Sequence, residues 1–317
     1  MGQTCAETIL GTGTGAAIEK RMPPVRMSAA SNWGCAAERR AFEAGNLYGL
    51  LKFMQPTSTH YAIGTLPVTG TGVGVSGERL DEALSGPVAA IVFDAAGSEE
   101  IASLLDGVAD TEFTRENLDS LLNAAQPSEG WRVGEALAES FLTECRDCHF
   151  PWPDSRDERK RGSSLPGADL VGFHREGEVD RFAFGEVKTS AENTYPPGAA
   201  YGRHGLKQQM EDLRDCREIR EGLVRYLAHR AVQASWRDRF RSAATVYFRN
   251  SCEVRIFGLL VRDVPPHEDD LRARIDHLGL NCPAAMAIEL IAIYLPLGRI
   301  ASLASQVMAS RPNGGTP

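Results

Sequence analysis

Pro166-Gly167-Ala168-Asp169-Leu170-Val171-Gly172-Phe173, followed after a turn by Phe184-Gly185-Glu186-Val187-Lys188-Thr189, is the stretch on which the fold is read. Apolar runs flank Arg175-Glu176-Gly177-Glu178-Val179-Asp180, so the pattern predicts a β-hairpin. Side chains two apart on a strand share a face. Glu186 and Lys188 therefore project together, and Val187 points to the opposite side. A hairpin centred between Gly177 and Glu178 sets Asp169 directly opposite Glu186, and facing residues share one side of the sheet. A slip of two residues keeps the carboxylates neighbours, whereas a slip of one separates them.

Two converging carboxylates suit Mg²⁺ or Mn²⁺, which take oxygen ligands and retain several waters. Such an ion polarises a phosphate and stabilises charge on a leaving oxygen. Lys188 is placed to orient or deprotonate an attacking water, or to neutralise the phosphate in the transition state. Val187 offers its backbone carbonyl alone. A Glu-x-Lys on an exposed strand is ordinary. Here apolar neighbours flank it, a Gly-x-Asp precedes it at hairpin distance, and an acidic helix lies upstream.

That helix is expected from Trp131 to Glu144, with Val133, Leu137 and Phe141 forming an apolar stripe. Glu135 lies at the edge of the stripe and Glu139 one turn further on. Downstream, Arg203 to Ser235 reads as a long amphipathic helix or helix pair. On its wheel Gln209 falls beside Leu213 and Gln208 points away. Strands are expected at Ala244–Phe248, Glu253–Arg262 and Ala285–Tyr294, and helices at Glu268–Leu278 and near Arg299–Ala309.

Together these residues resemble the PD-(D/E)XK nuclease superfamily. Asp169, Glu186 and Lys188 match its Asp and Glu-x-Lys positions, Glu135 its upstream helical glutamate with Glu139 as the rival, and Gln209 its glutamine on the following helix. The resemblance implies a restriction-endonuclease-like α/β fold, a mixed sheet flanked by helices. It also implies Mg²⁺ or Mn²⁺ held by Asp169, Glu186 and Glu135, and hydrolysis of DNA phosphodiester bonds. It covers about Trp131 to Ser235. Position 213 is leucine, so the Gln-x-x-x-Tyr form of RecB-like members is absent. The order of acidic helix, polar loop, Leu-Pro-Gly-x-Asp and Glu-x-Lys-Thr-Ser is most similar to the HamA nucleases of Hachiman antiphage systems, which implies a role in defence or restriction.

Around this core, residues 1–31 read as a loose tail, 32–126 as a small α/β accessory region, 127–310 as the nuclease-like domain and 311–317 as a second tail. Within the accessory region, Pro87–Ala95 reads as a buried strand, Ser98 as the cap of a helix to Leu105, and Thr114 as the start of another. The glycine-rich runs 11–15 and 70–77 lack the flanking elements of a nucleotide loop and read as flexible segments.

The loop Arg156-Asp157-Glu158-Arg159-Lys160-Arg161 is the expected backbone grip for DNA, with His204 as a further phosphate contact. Trp152 and Phe150 are weaker candidates for stacking on bases. Cys145-x-x-Cys148-His149 lacks a second ligand pair for zinc.

The chain has 317 residues, a net charge of −8, 43% hydrophobic residues and seven scattered cysteines. These values describe an ordinary globular protein with reduced thiols, expected in the cytoplasm. The negative balance argues against non-specific coating of nucleic acid, while leaving room for a local basic surface. No helicase or ATPase motif is present, so unwinding would fall to a partner helicase. Two other readings compete: a nuclease fold that binds nucleic acid or regulates without cleaving, and a DNA-repair exonuclease.

Overall fold

The computed structural model describes residues 53–108, 111–122, 130–157, 167–202 and 204–311. Its centre is the expected hairpin. β4 (Leu170–Glu176) and β5 (Val179–Ser190) pair antiparallel from Leu170↔Gly185 to Glu176↔Val179. This is the register read from the sequence, and it sets Asp169, one residue ahead of β4, opposite Glu186. β5 then runs parallel to β6 (Arg255–Arg262), with Glu186 beside Gly258 and Lys188 beside Leu260. β6 is parallel to β7 (Ala287–Tyr294). These central strands are buried on both faces, and near-continuous Ile, Leu and Val runs supply that.

The sheet continues into the N-terminal half. β1 (Ser58–Thr65) and β2 (Val68–Gly74) form an antiparallel pair, and β2 lies parallel to β7. With the short β3 (Cys148–His149) on β4, the order is β1-β2-β7-β6-β5-β4-β3. The region expected as a separate accessory unit thus shares one mixed sheet with the rest. Its glycine-rich run 70–77 is strand and helix start rather than a flexible loop. A Cβ on Gly70 would lie 2.1 Å from Ile275 Cδ1, and one on Gly72 would lie 2.3 Å from the Tyr61 ring. The glycines make slots for those side chains.

Helices cover both faces. On one lie α1 (Gly77–Ser85), α2 (Pro87–Val92), α5 (Gly130–Cys145) and α10 (Leu303–Ala309), around Leu80, Val88, Leu137, Phe141 and Val187. On the other lie α6 (Leu206–Asp215), α7 (Arg217–Ala231), α8 (Arg237–Arg249) and α9 (Arg272–Gly279), around Phe173, Phe182, Phe184, Met210 and Leu227. Between α2 and α5 come α3 (Ala95–Leu104) and α4 (Glu112–Leu122).

Three local expectations are corrected. Pro87–Ala95 is helical to Val92, because a short apolar run fits a buried helix as well as a strand, and Pro87 sits in the first turn, where its missing N–H costs nothing. α3 is capped by the Asp94 carboxylate, which accepts from Gly97 N, rather than by Ser98. Ala244–Phe248 belongs to α8: its Ala243, Ala244 and Tyr247 follow helical spacing onto the aromatic cluster. Residues 1–31 and 312–317, read as tails, lie outside the described residues.

A buried polar network ties down the chain that leaves β5. Arg262 and Asp270 are both fully buried and paired at 3.3 Å. The guanidinium also donates to the Ser190 carbonyl at 3.2 Å and the Thr194 carbonyl at 2.9 Å. Tyr294 donates to Asp270 at 2.7 Å and lies 2.9 Å from the Tyr61 hydroxyl. The segment immediately after Lys188 and Thr189 is thereby pinned to β6, β7 and β1.

Candidate active site

The alternation of β5 decides where the acids go. Ala183 and Val187 pack with α5, whereas Phe182 and Phe184 pack under α6, α7 and α8. Glu186 and Lys188 continue the second set. They meet Asp169, which shares that face through the hairpin register.

Glu186 is fully buried. Its Oε1 accepts from Lys188 Nζ at 2.6 Å. Its Oε2 is buried without a hydrogen-bond donor. Burial pushes the Glu186 carboxyl up to about 8; the neighbouring Asp169 carboxylate adds to the rise and the Lys188 ammonium opposes it. The hairpin register sets the two carboxyls on the same face of the sheet.

Asp169 Oδ2 accepts from Val187 N at 2.8 Å. That bond continues the hairpin ladder with a side chain and fixes the carboxylate against β5. Gly167, two residues earlier, has φ +128°, and a Cβ there would meet Leu223 at 2.8 Å. The entry into β4 therefore depends on glycine at position 167 for its shape.

α5 brings Glu135 to the same neighbourhood. A cleft of about 60 Å³ is lined by Glu135, Glu139, Arg132, Asp169 and Leu170 among others. That is the room of a few small groups, such as a hydrated ion, and not of a nucleotide. Asp169 both lines this cleft and abuts the buried Glu186. Glu135 is half-buried, next to Gly134, whose Cα face lies against Thr189 of β5. Both expected helical acids thus reach the cleft. Among the described residues, however, no three His, Cys, Asp or Glu side chains gather as one metal-holding group. Glu135 shares the cleft with Asp169, while Glu186 and Lys188 do not line it.

The pair nonetheless fits Mg²⁺ or Mn²⁺. These ions are commonly held by one or two carboxylates, with waters and substrate phosphates completing the shell. Glu186 supplies a buried oxygen without a partner, and Asp169 a second oxygen set at fixed position.

Gln209 lies on the inner side of α6, which packs on β5 and β6; its Oε1 is buried without a partner. Gln208 instead donates to Asp212 on the exposed side. The helical-wheel choice between them matches this placement. His204 is exposed in the turn before α6.

The expected DNA grip fares differently. Arg156 is turned inward: its Nε and Nη2 reach Asp94 at 2.7 and 2.8 Å, and its Nη1 reaches Glu100 at 3.2 Å. Its charge is engaged by α3 rather than presented to solvent. Arg159, Lys160 and Arg161 lie outside the described residues. Trp152 is held between the Arg156 and Arg230 guanidiniums at 4.9 and 5.4 Å, and its Nε1 donates to Asp157. Asp157 also accepts from Tyr226 and Arg230, so this ring serves a closed structural cluster. Phe150 packs against the core beside the cleft. Cys148 is buried, its thiol pushed up by burial, and His149 is held neutral. No helix among the described residues is long and apolar enough to cross a membrane.

Comparison with known proteins finds no family whose profile matches the chain and no similar curated protein.

Proposed function

We propose that this chain is a Mg²⁺- or Mn²⁺-dependent nuclease that hydrolyses DNA phosphodiester bonds, acting in defence or restriction. One observation carries the reading. A fully buried glutamate holds a lysine at 2.6 Å through one oxygen while its other oxygen is left without a donor. Beside it, Asp169 is set by its bond to Val187 N. A buried carboxylate without a partner is costly, and such arrangements concentrate at functional sites.

In this reading Asp169 and Glu186 hold the ion, which would polarise the scissile phosphate and lower the pKa of a bound water. Lys188, fixed by Glu186, orients the attacking water and offsets charge on the phosphate. Glu135 lines the cleft as a second acid beside the ion or its waters. Gln209 presents an amide toward the substrate from α6. The resemblance to Hachiman nucleases suggests a helicase as partner protein, since unwinding lies outside the chemistry of this site.

The test is cleavage of duplex DNA, single-stranded DNA and RNA by purified protein with Mg²⁺, Mn²⁺ or EDTA. Metal-dependent cleavage of DNA, inhibited by EDTA, is expected. Binding without cleavage under every metal condition would instead favour the silent, regulatory reading. Equal activity on circular and linear DNA would separate it from an exonuclease.

A further inference from the structure

The outer face of α8 has no role in the site described above. Its sequence, Arg237-Asp-Arg-Phe-Arg-Ser-Ala-Ala-Thr-Val-Tyr-Phe-Arg249, buries Ala243, Ala244 and Tyr247. Arg237, Arg241, Thr245, Phe248 and Arg249 remain exposed, Phe248 at 78%. Arg239, the remaining arginine, turns inward and pairs with the buried Asp180 at 3.0 Å. Arg237, Arg241 and Arg249 have no ion pair among the described residues. Asp238 is the single acid of the helix.

Such a concentration of uncompensated arginine is unexpected in a chain of net charge −8. Elsewhere its exposed arginines are commonly paired, as Arg217 is with Glu221 and Arg272 with Glu268. Along α8 the three cations are separated by about 6 and 12 Å. A row of that length suits an extended polyanion, with a charge every ~1.7 Å of duplex axis, better than a single small anion. The exposed Phe248 lies within this row, where an aromatic ring can pack on sugar or base.

The helix also lies on the appropriate side. Phe182 packs against Phe240 and Tyr247 of α8, and Glu186 and Lys188 follow Phe182 on that same face of β5. Phe182 to Lys188 is about 20 Å along the strand, roughly six base pairs of duplex. A nucleic acid presenting a phosphate to Lys188 is therefore within reach of α8.

We infer that Arg237, Arg241 and Arg249 on α8 form a docking surface for the phosphate backbone of the nucleic acid acted on at the Asp169–Glu186–Lys188 site. The substrate class rests on the nuclease reading; the surface itself is tested by binding alone. It contributes affinity without sequence preference, because phosphate contacts carry no base information.

The experiment is fluorescence anisotropy with a labelled 30-base-pair duplex of arbitrary sequence in EDTA, over a series of salt concentrations. The proteins are the full chain and the triple variant Arg237→Gln/Arg241→Gln/Arg249→Gln. The variant is expected to bind at least about tenfold more weakly near physiological salt. The slope of log affinity against log salt is expected to fall by about 2 to 3, at roughly 0.9 per lost contact. Circular dichroism and Mn²⁺ binding of the variant should match wild type, because none of the three residues touches the metal-holding pair. An unchanged affinity and salt slope would overturn the inference, even if wild type cleaves DNA. Conversely, arginine-dependent binding by a protein that never cleaves would leave this surface standing and remove the nuclease reading. Absence of duplex binding by wild type overturns the inference outright.

Discussion

Lys188 Nζ sits 2.6 Å from Glu186 Oε1, while the other oxygen of the same carboxyl has no donor. A single ammonium half-neutralises a buried acid that also faces Asp169. Burial and the neighbouring Asp169 carboxylate strain this carboxyl electrostatically, and the Lys188 ammonium offsets part of that.

That strain has a measurable sign. Burial raises the Glu186 carboxyl from its ordinary range to about 8, so in metal-free protein the acid is neutral below that pH and a buried anion above it. A raised acid favours the folded state at low pH and loses that advantage as pH rises through the folded value. In EDTA at pH 9, Glu186→Gln is therefore expected to unfold at a higher temperature than wild type, with the difference shrinking toward pH 6. The same variant should lose Mn²⁺ affinity by isothermal titration. A variant less stable than wild type at pH 9 would contradict a costly buried carboxylate.

Gly134 sets how closely α5 approaches the strand that carries Lys188. A Cβ at this position would lie 1.9 Å from Thr189 Oγ1 and 3.2 Å from its Cβ. Gly134→Ala must push α5 from β5 or force Thr189 aside, which typically costs about 1–3 kcal/mol in a packed core. Denaturant midpoints should show that loss, and Thr189→Ala in the same chain should restore part of it. No recovery in the double variant would mean that the contact is not the cause.

His149 makes the fold acid-sensitive. Burial first, and the nearby Arg239 charge second, hold its pKa down at about 4; Asp180 opposes them weakly. A depressed folded-state pKa gives stability that is complete above about 6.5 and lost as pH falls through 4. The loss attributable to this ring is about 3 kcal/mol at the acid end. His149→Phe, which can still stack on Phe173, should flatten urea-unfolding stability between pH 6.5 and 4. An unchanged slope over that interval would assign the acid sensitivity elsewhere.

The hairpin was legible because local chemistry specified it: a glycine turn, apolar runs on both sides, and a register that one buried face enforces. Its consequence, Asp169 opposite Glu186, follows from counting. The inner placement of Gln209 was legible for the same reason, through helical periodicity beside Leu213. What escaped depends on distant partners. Gly70 and Gly72 read as a loop until Ile275 and Tyr61 fill the space they leave. Arg156 read as a DNA contact until Asp94, sixty-two residues earlier, claims its guanidinium. Of the α8 arginines, only the fold shows that Arg239 turns inward to Asp180 while Arg237, Arg241 and Arg249 have no ion pair among the described residues. Pro87–Ala95 and Ala244–Phe248 were too short for periodicity to separate strand from helix.

The central claim is that the Asp169–Glu186–Lys188 set performs metal-dependent phosphodiester hydrolysis. The most direct measurement is the cleavage rate of supercoiled plasmid by wild type and Lys188→Ala at equal concentration in Mg²⁺, with an EDTA control and Mn²⁺ binding measured on both. Wild type is expected to cleave in Mg²⁺ and stop in EDTA, and Lys188→Ala to bind Mn²⁺ yet cleave at least about 10²-fold more slowly. Cleavage by Lys188→Ala at the wild-type rate, or no cleavage by wild type with Mn²⁺ bound, would contradict the account.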